Sequence, residues 1–326
     1  MPTTVPTRRA LLACAVLACA VAPALAQEAY PAKPITIVVG YPPGGSTDLV
    51  GRLVGAELST RLGQPVVIEN LGGAGGAIGA QKVAKAAPDG YTLLVGANNE
   101  LAISHLINKS VKYNVFKDFT PIGLVASQPM VLVASPKTGV KTAAEFVKLV
   151  SSNPGKFSYG SSGVGTALHL AGEMVKENGR LFMTHVPYRG VAPLTNDLVG
   201  NNLEFGIFVL SSGLPQIKAG KVVALGTTEA KRSPAAPDIP ALSELPQFKK
   251  VDINSWFAVM GPAHLPQPVA DKLKAALRDT LQSPEFRKRL EATGNVTASP
   301  TVDLGKYLQT EVAKYQKIVE FAKIEE

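Results

Sequence analysis

The chain has 326 residues, 46% hydrophobic and 18% charged, with both signs dispersed, which is a globular composition and excludes a disordered one. The net charge of +8 contains no run of five or more Lys/Arg, and aromatics are only 6%, so a nucleic-acid surface is not expected. Past residue 26 no apolar run approaches the ~20 residues a membrane helix needs.

The chain starts with an export signature. Arg8 and Arg9 precede an apolar stretch over 10–22, and Ala24-Leu25-Ala26 offers a small-x-small site before Gln27. A signal peptide over 1–26, cleaved after Ala26, predicts a periplasmic protein. Cleavage leaves 300 residues at +6 and removes both cysteines, Cys14 and Cys19, so thiol catalysis, disulfides and cysteine–metal sites are excluded together. The paired arginines also fit twin-arginine export, and Val16-Leu17-Ala18-Cys19 a lipoprotein box.

Strands and helices then alternate. Ile35–Val39 is a β-branched run of the kind buried on both faces, broken by Pro42-Pro43-Gly44-Gly45. A helix is expected over 48–62, stopped by Gly63, then a strand over 65–69, a glycine loop over 72–76, a helix over 78–86 and a strand over 91–95. A second set starts near Pro129: strand 130–134, helix 143–151 opened by Thr142, strand 157–160, helix 166–178, strand 183–186, helix 193–199, and strands 203–209 and 222–227. Helices return over 268–282, 284–293 and 303–323. The rhythm predicts parallel, doubly wound sheets and an α/β protein of two doubly wound domains with a ligand cleft between them. Domain 1 is expected at 27–128 and 250–326, and domain 2 at 129–249.

Catalytic signatures are missing. There is no G-x-S-x-G elbow and no phosphate-binding G-x-x-x-x-G-K-[ST], and both glycine loops, at Gly73 and Gly163, fail the G-x-G-x-x-G pattern at its last residue. His105, His169, His185 and His264 are scattered without metal-ligand spacing. No metal and no cofactor are expected.

Two loops suit a small anion. Pro42–Asp48 runs from a buried strand into a helix, where glycines let backbone N–H groups approach a ligand, Ser46 or Thr47 offers a hydroxyl, and the helix N-terminus adds partial positive charge. Asp48 would repel an anion it faced, so it is expected to bind loop amides and hold the loop's shape. Ser161-Ser162-Gly163-Val164-Gly165-Thr166 repeats the arrangement in the second half. Ala97-Asn98-Asn99-Glu100 lies at the same end of the sheet, and Tyr188-Arg189-Gly190 offers a hydroxyl and a guanidinium.

The stretch Tyr30-Pro31-Ala32-Lys33-Pro34 followed by Val39–Asp48 resembles the start of a mature Bug-family receptor, the TctC-like solute receptors of tripartite tricarboxylate transporters. So do Glu69–Gly76, Ala86–Leu94, His185–Gly190, Ile217–Lys221 and Ser255-Trp256-Phe257, in register to the C-terminus. The resemblance implies a two-domain receptor of the periplasmic binding protein type II kind, closing over a carboxylate held by amides, hydroxyls and bridging waters rather than by a salt bridge. It also exposes departures. Phe208 stands where the family commonly has Asp, which argues against an amino-acid ligand and for an apolar ligand body. Glu100 stands where small hydroxyl residues are usual, Arg189 replaces a frequent Lys, and Val191 a frequent Gly.

The expected ligand-binding set is Tyr41, Gly45, Ser46, Thr47, Asn98, Asn99, Glu100, Ser162, Gly165, Thr166, His169, Tyr188, Arg189 and Phe208, with Asp48 as the loop-shaping residue. The expected function is a non-enzymatic, monomeric receptor that passes a small organic carboxylate to integral membrane subunits of a tripartite tricarboxylate transporter. A ligand sensor for a membrane signalling protein is the alternative, and a hydrolase using Ser162 with His169 a minor one.

Overall fold

The computed structural model of the protein describes residues 30–324. The expected signal segment lies outside the described residues. In chain order the main elements are β1 (Ile35–Val39), α1 (Ser46–Leu62), β2 (Val66–Asn70), α2 (Ala77–Ala84), β3 (Thr92–Ala97), a π-turn (Asn99–Ile103), α3 (Ser104–Ile107), β4 (Phe119–Ala134), α4 (Ala143–Ser151), β5 (Ser158–Ser161) and α5 (Ala167–Gly179). There follow β6 (Thr184–Pro187), α6 (Val191–Val199), β7 (Phe205–Val209), α7 (Leu210–Lys218), β8 (Val223–Thr227), β9 (Asn254–Pro262), α8 (Gln267–Gln282), α9 (Pro284–Glu291), β10 (Val296–Thr297) and α10 (Leu304–Ala322).

β1 pairs in parallel with β2 and β3, and its residues are almost wholly buried because helices cover both faces. α1 approaches this sheet closely because Gly51 and Gly55 face it: a Cβ would lie 2.8 Å from Val39 and 2.9 Å from Ile68. A second parallel group, β6-β5-β7, forms in the other half. The helix over 143–151 begins and ends as expected, its Thr142 side chain accepting the Glu145 amide.

The sheet is mixed, not wholly parallel as the alternating pattern suggested. Its order is β2-β1-β3-β9-β4-β7-β5-β6, with β8 and β10 also on β4. β9 is antiparallel to β3 and β4, and β4 is antiparallel to β7 and β8. β4 is 16 residues long. Its first part pairs with β9 and β10 and its last five residues with β7 and β8. Only 130–134 is legible as a strand in the sequence. Pro121, Gly123 and Pro129 hide the rest, and the pairing with β9 slips between Pro121 and Gly123 and between Leu124 and Ala126.

Three apolar clusters fill the layers. One contains Ile37, Val39, Val54, Leu93 and Phe257. Another contains Phe146, Tyr159, Ile207 and Trp256, and a third Val131, Val133, Leu194 and Phe208. Among the described residues no helix is long and apolar enough to cross a membrane.

Candidate ligand site

The first loop is shaped by a buried carboxylate. Asp48 accepts the Gly44 amide and the Arg52 Nε–H, both at 2.9 Å, and the Asn70 Nδ2–H at 2.8 Å. Burial pushes its pKa up, but the bonds from Arg52, Gly44 and Asn70 outweigh that and hold it below the ordinary carboxylate range. Asn70 also donates to Tyr41 O at 3.0 Å and so ties the loop's entrance to its exit. The N-cap of α1 is Gly45, which has no side chain to cap with, so the first-turn amides at Ser46 and Thr47 lack a side-chain acceptor. Thr47 is buried, and Ser46 half-buried.

Glu100, on the π-turn, is fully buried. Its Oε1 accepts the Ala97 amide at 2.7 Å, and its Oε2 lies 2.6 Å from Tyr41 Oη. Burial pushes its pKa up to about 7 despite those opposing bonds. Asn98, also buried, turns the other way and donates to Tyr315 Oη at 2.9 Å and to Asn254 O at 3.0 Å.

The second loop is held by neutral groups. The Gly165 amide donates to His169 Nδ1 at 3.0 Å, and Ser161 Oγ lies 2.7 Å from His185 Nε2. The two imidazoles stack at 3.8 Å. Burial, then the nearby Lys176, push His169 down to about 4, while burial, then His169, push His185 down to about 3. Thr166 caps α5: its Oγ1 accepts the His169 amide at 3.3 Å and donates to Gly163 O at 2.9 Å. Ser162 Oγ donates to Thr166 Oγ1 at 3.3 Å, so the Ser162–His169 pair that a hydrolase would need is not formed.

Segment 188–190 lies beside this loop, with Tyr188 N bonded to Ser161 O and Gly190 N to Ser162 O. The Tyr188 hydroxyl is committed to Asp197 at 2.7 Å, and burial, then that bond, push its pKa up to about 12. Arg189 is exposed and makes no ion pair among the described residues.

The two loops meet through Asn99. Its Oδ1 accepts the Ala167 amide, in the first turn of α5, at 2.9 Å, and its Nδ2 donates to Tyr41 Oη at 3.3 Å. Ile107 packs against Gly165 so closely that a Cβ there would lie 1.8 Å from its Cδ1. Tyr41 thus bonds both Glu100 and Asn99, and Asn99 reaches the loop of Ser162, Gly165 and Thr166 through the Ala167 amide. Gly45, Ser46 and Thr47 join them through Asp48 and Asn70.

Phe208 does not join them. It is fully buried against Val131, Leu194 and Leu198, with none of its surface open to a cleft. Phe205, Gly206, Ile207 and Phe208 of β7 are all buried, so side chains on both of its faces are core. Asn70, Ser161, His185 and Ile107 are organising residues outside the expected ligand-binding set. Ser161 had a signal as the first residue of the second small polar loop, Asn70 and His185 only as members of family-like stretches, and Ile107 none. A groove of about 640 Å³ between β4, α8 and residues 299–305 contains none of these residues. Among the described residues no cluster of His, Cys, Asp or Glu could hold a metal ion.

The geometry can be set beside known proteins. Residues 50–324 match the family described as "Tripartite tricarboxylate transporter family receptor", TctC. BugT of Bordetella pertussis is 31% identical over 303 residues, covering 92% of each chain. Among solved structures, Rpa4515 of R. palustris with adipate superposes with a TM-score of 0.83 at 31% identity, over 91% of this chain and 99% of that one. MatC of Rhodopseudomonas palustris with bound malate gives 0.78 at 30%, over 89% and 99%. The architecture is that of a periplasmic binding protein, and the chain belongs to the TctC family of tripartite tricarboxylate transporter receptors.

Proposed function

We propose that the protein captures a small organic carboxylate in the periplasm and delivers it to the integral membrane subunits of a tripartite tricarboxylate transporter. The observation that carries this reading is the convergence of two glycine-rich loops, each leading into a helix N-terminus, on either side of Asn99. The uncapped turn at Ser46 and Thr47 offers amides to one carboxylate. Ala167 N offers a third donor once Asn99 gives it up. Segments 27–128 with 250–326 and 129–249 act as two domains that close over the ligand, with β4 running from one into the other. The adipate and malate held by the two R. palustris relatives support an aliphatic dicarboxylate as the ligand class.

Native mass spectrometry of the purified protein should show a retained acid, and calorimetry should find a dicarboxylate, adipate or malate first, that binds with a contraction seen by scattering. Saturating ligand should stabilise the fold by about 2.7 kcal/mol at a hundredfold excess over Kd. If no member of a panel of aliphatic and aromatic carboxylates shifts the melting temperature, the receptor reading fails.

A further inference from the structure

Tyr41 has one phenolic hydrogen and two oxygens that need it. Its Oη lies 2.8 Å from Gly75 O and 2.6 Å from Glu100 Oε2, and it accepts a further bond from Asn99 Nδ2. Two oxygens this close require a hydrogen between them. A neutral phenol supplies one, so the other comes from the carboxyl. Glu100 Oε1 is already an acceptor, from the Ala97 amide, which leaves Oε2 as the protonated oxygen.

We propose that Glu100 is a positioning residue held as the neutral acid: its Oε2–H donates to Tyr41, Tyr41 donates to Gly75 O, and the proton belongs to the ligand-holding arrangement of the loops. The proposal rests on the receptor reading above and adds its regulation.

The surroundings favour a kept proton. Glu100 is wholly buried, and no lysine, arginine or acid bonds to it. The ionisable groups around it are phenols and one imidazole. Tyr41 comes from the loop after β1, and Tyr113 donates to the Glu100 backbone carbonyl at 2.6 Å. Tyr315 of α10 reaches Asn98 instead, and His105 on α3 is itself pushed down by burial. The loop over 73–76 brings no ionisable group, and Gly76 passes so near that a Cβ would lie 2.7 Å from the carboxyl.

Ionisation would undo the arrangement. Tyr41 would turn its hydrogen to Glu100, and Gly75 O would face a bare phenol oxygen. Tyr41 also anchors Asn99, and Asn99 holds Ala167, so the disturbance passes to the second loop. A ligand anion nearby adds like charge and strengthens the hold on the proton. Affinity should therefore fall as pH rises past neutrality, by up to about tenfold per unit where one proton is taken up on binding.

The test uses adipate as the probe, with calorimetry from pH 6 to 8.5. Wild type should lose at least tenfold in affinity across that range. Glu100→Gln, whose amide can donate to Tyr41 as the acid does, should lose the slope and retain the binding that Glu100→Ala loses. Infrared difference spectra between wild type and Glu100→Gln at pH 6 should contain a protonated-carboxyl band. Absence of that band, or a flat wild-type profile with the band present, overturns the proposal. If neither adipate nor the carboxylate panel binds wild type, the receptor reading falls and the linkage with it, while the infrared band still decides whether Glu100 holds its proton.

Discussion

The loops leading into α1 and α5 look alike in sequence, yet they are built from opposite electrostatic parts. The first wraps an ionised carboxylate, Asp48, bonded to Arg52, Asn70 and the Gly44 amide. The second wraps two neutral stacked imidazoles bonded to Gly165 and Ser161. The first leaves its helix without a side-chain cap, while the second spends Thr166 on the cap and Asn99 on the next amide. Two anion-suited loops therefore bring different credentials: the α1 turn has donors free, and the α5 turn must release one.

The largest expected effect breaks the second loop with acid. The folded pKa values of His169 and His185 lie below the ordinary 6.5, so an unfolded chain takes up protons that the folded chain refuses. The stability this represents is present above pH 6.5 and is lost as pH falls toward 4. For His169, pushed from 6.5 to about 4, this corresponds to about 3 kcal/mol. Hydrogen exchange at pH 4.5 should open β5 and β6 before β1 and β2; simultaneous opening would contradict the contrast. Glu100 runs the other way. Its folded pKa is raised, so its contribution is present below pH 4.5 and lost as pH rises to about 7.

Substitution sharpens the same comparison. Asp48→Ala removes the acceptor shared by a loop amide, Arg52 and Asn70, so it should cost about 2 kcal/mol in denaturant melts and weaken adipate binding more than tenfold. Thr166→Ala removes only a cap and should cost about 1 kcal/mol, with a smaller loss of affinity. Equal losses would mean that the loops are equivalent after all. The smallest effect is expected from Arg189→Ala: exposed and unpaired, it should leave stability within about 0.5 kcal/mol and weaken binding only a few-fold. Abolished binding would turn the site into a salt-bridge clamp.

Much of the fold was legible because buried strands and capped helices carry local signals. Ile35–Val39 and the helix opened by Thr142 are such cases. The parallel expectation failed because β9, the strand that pairs antiparallel with both β3 and β4, was not read as a strand at all: Trp256–Met260 is a short apolar run that periodicity alone does not assign. The site was legible as loops but not as contacts. A carboxylate at position 100 reads as a threat to an anion until Tyr41, 59 residues earlier, is seen bonded to it. Phe208 failed for another reason: a position's role in relatives does not determine where its side chain goes in a strand covered on both faces.

β4 also governs the order in which the chain can fold. β1, β2 and β3 find one another early in the sequence, whereas β4 is not enclosed until β7, β8, β9 and finally β10 have been supplied. Pairing across such separations closes long loops before it gains contacts, which slows folding. A polypeptide still lacking its last seventy residues would present the first part of the long strand without β9 and β10, a state open to chaperones and to association with other chains.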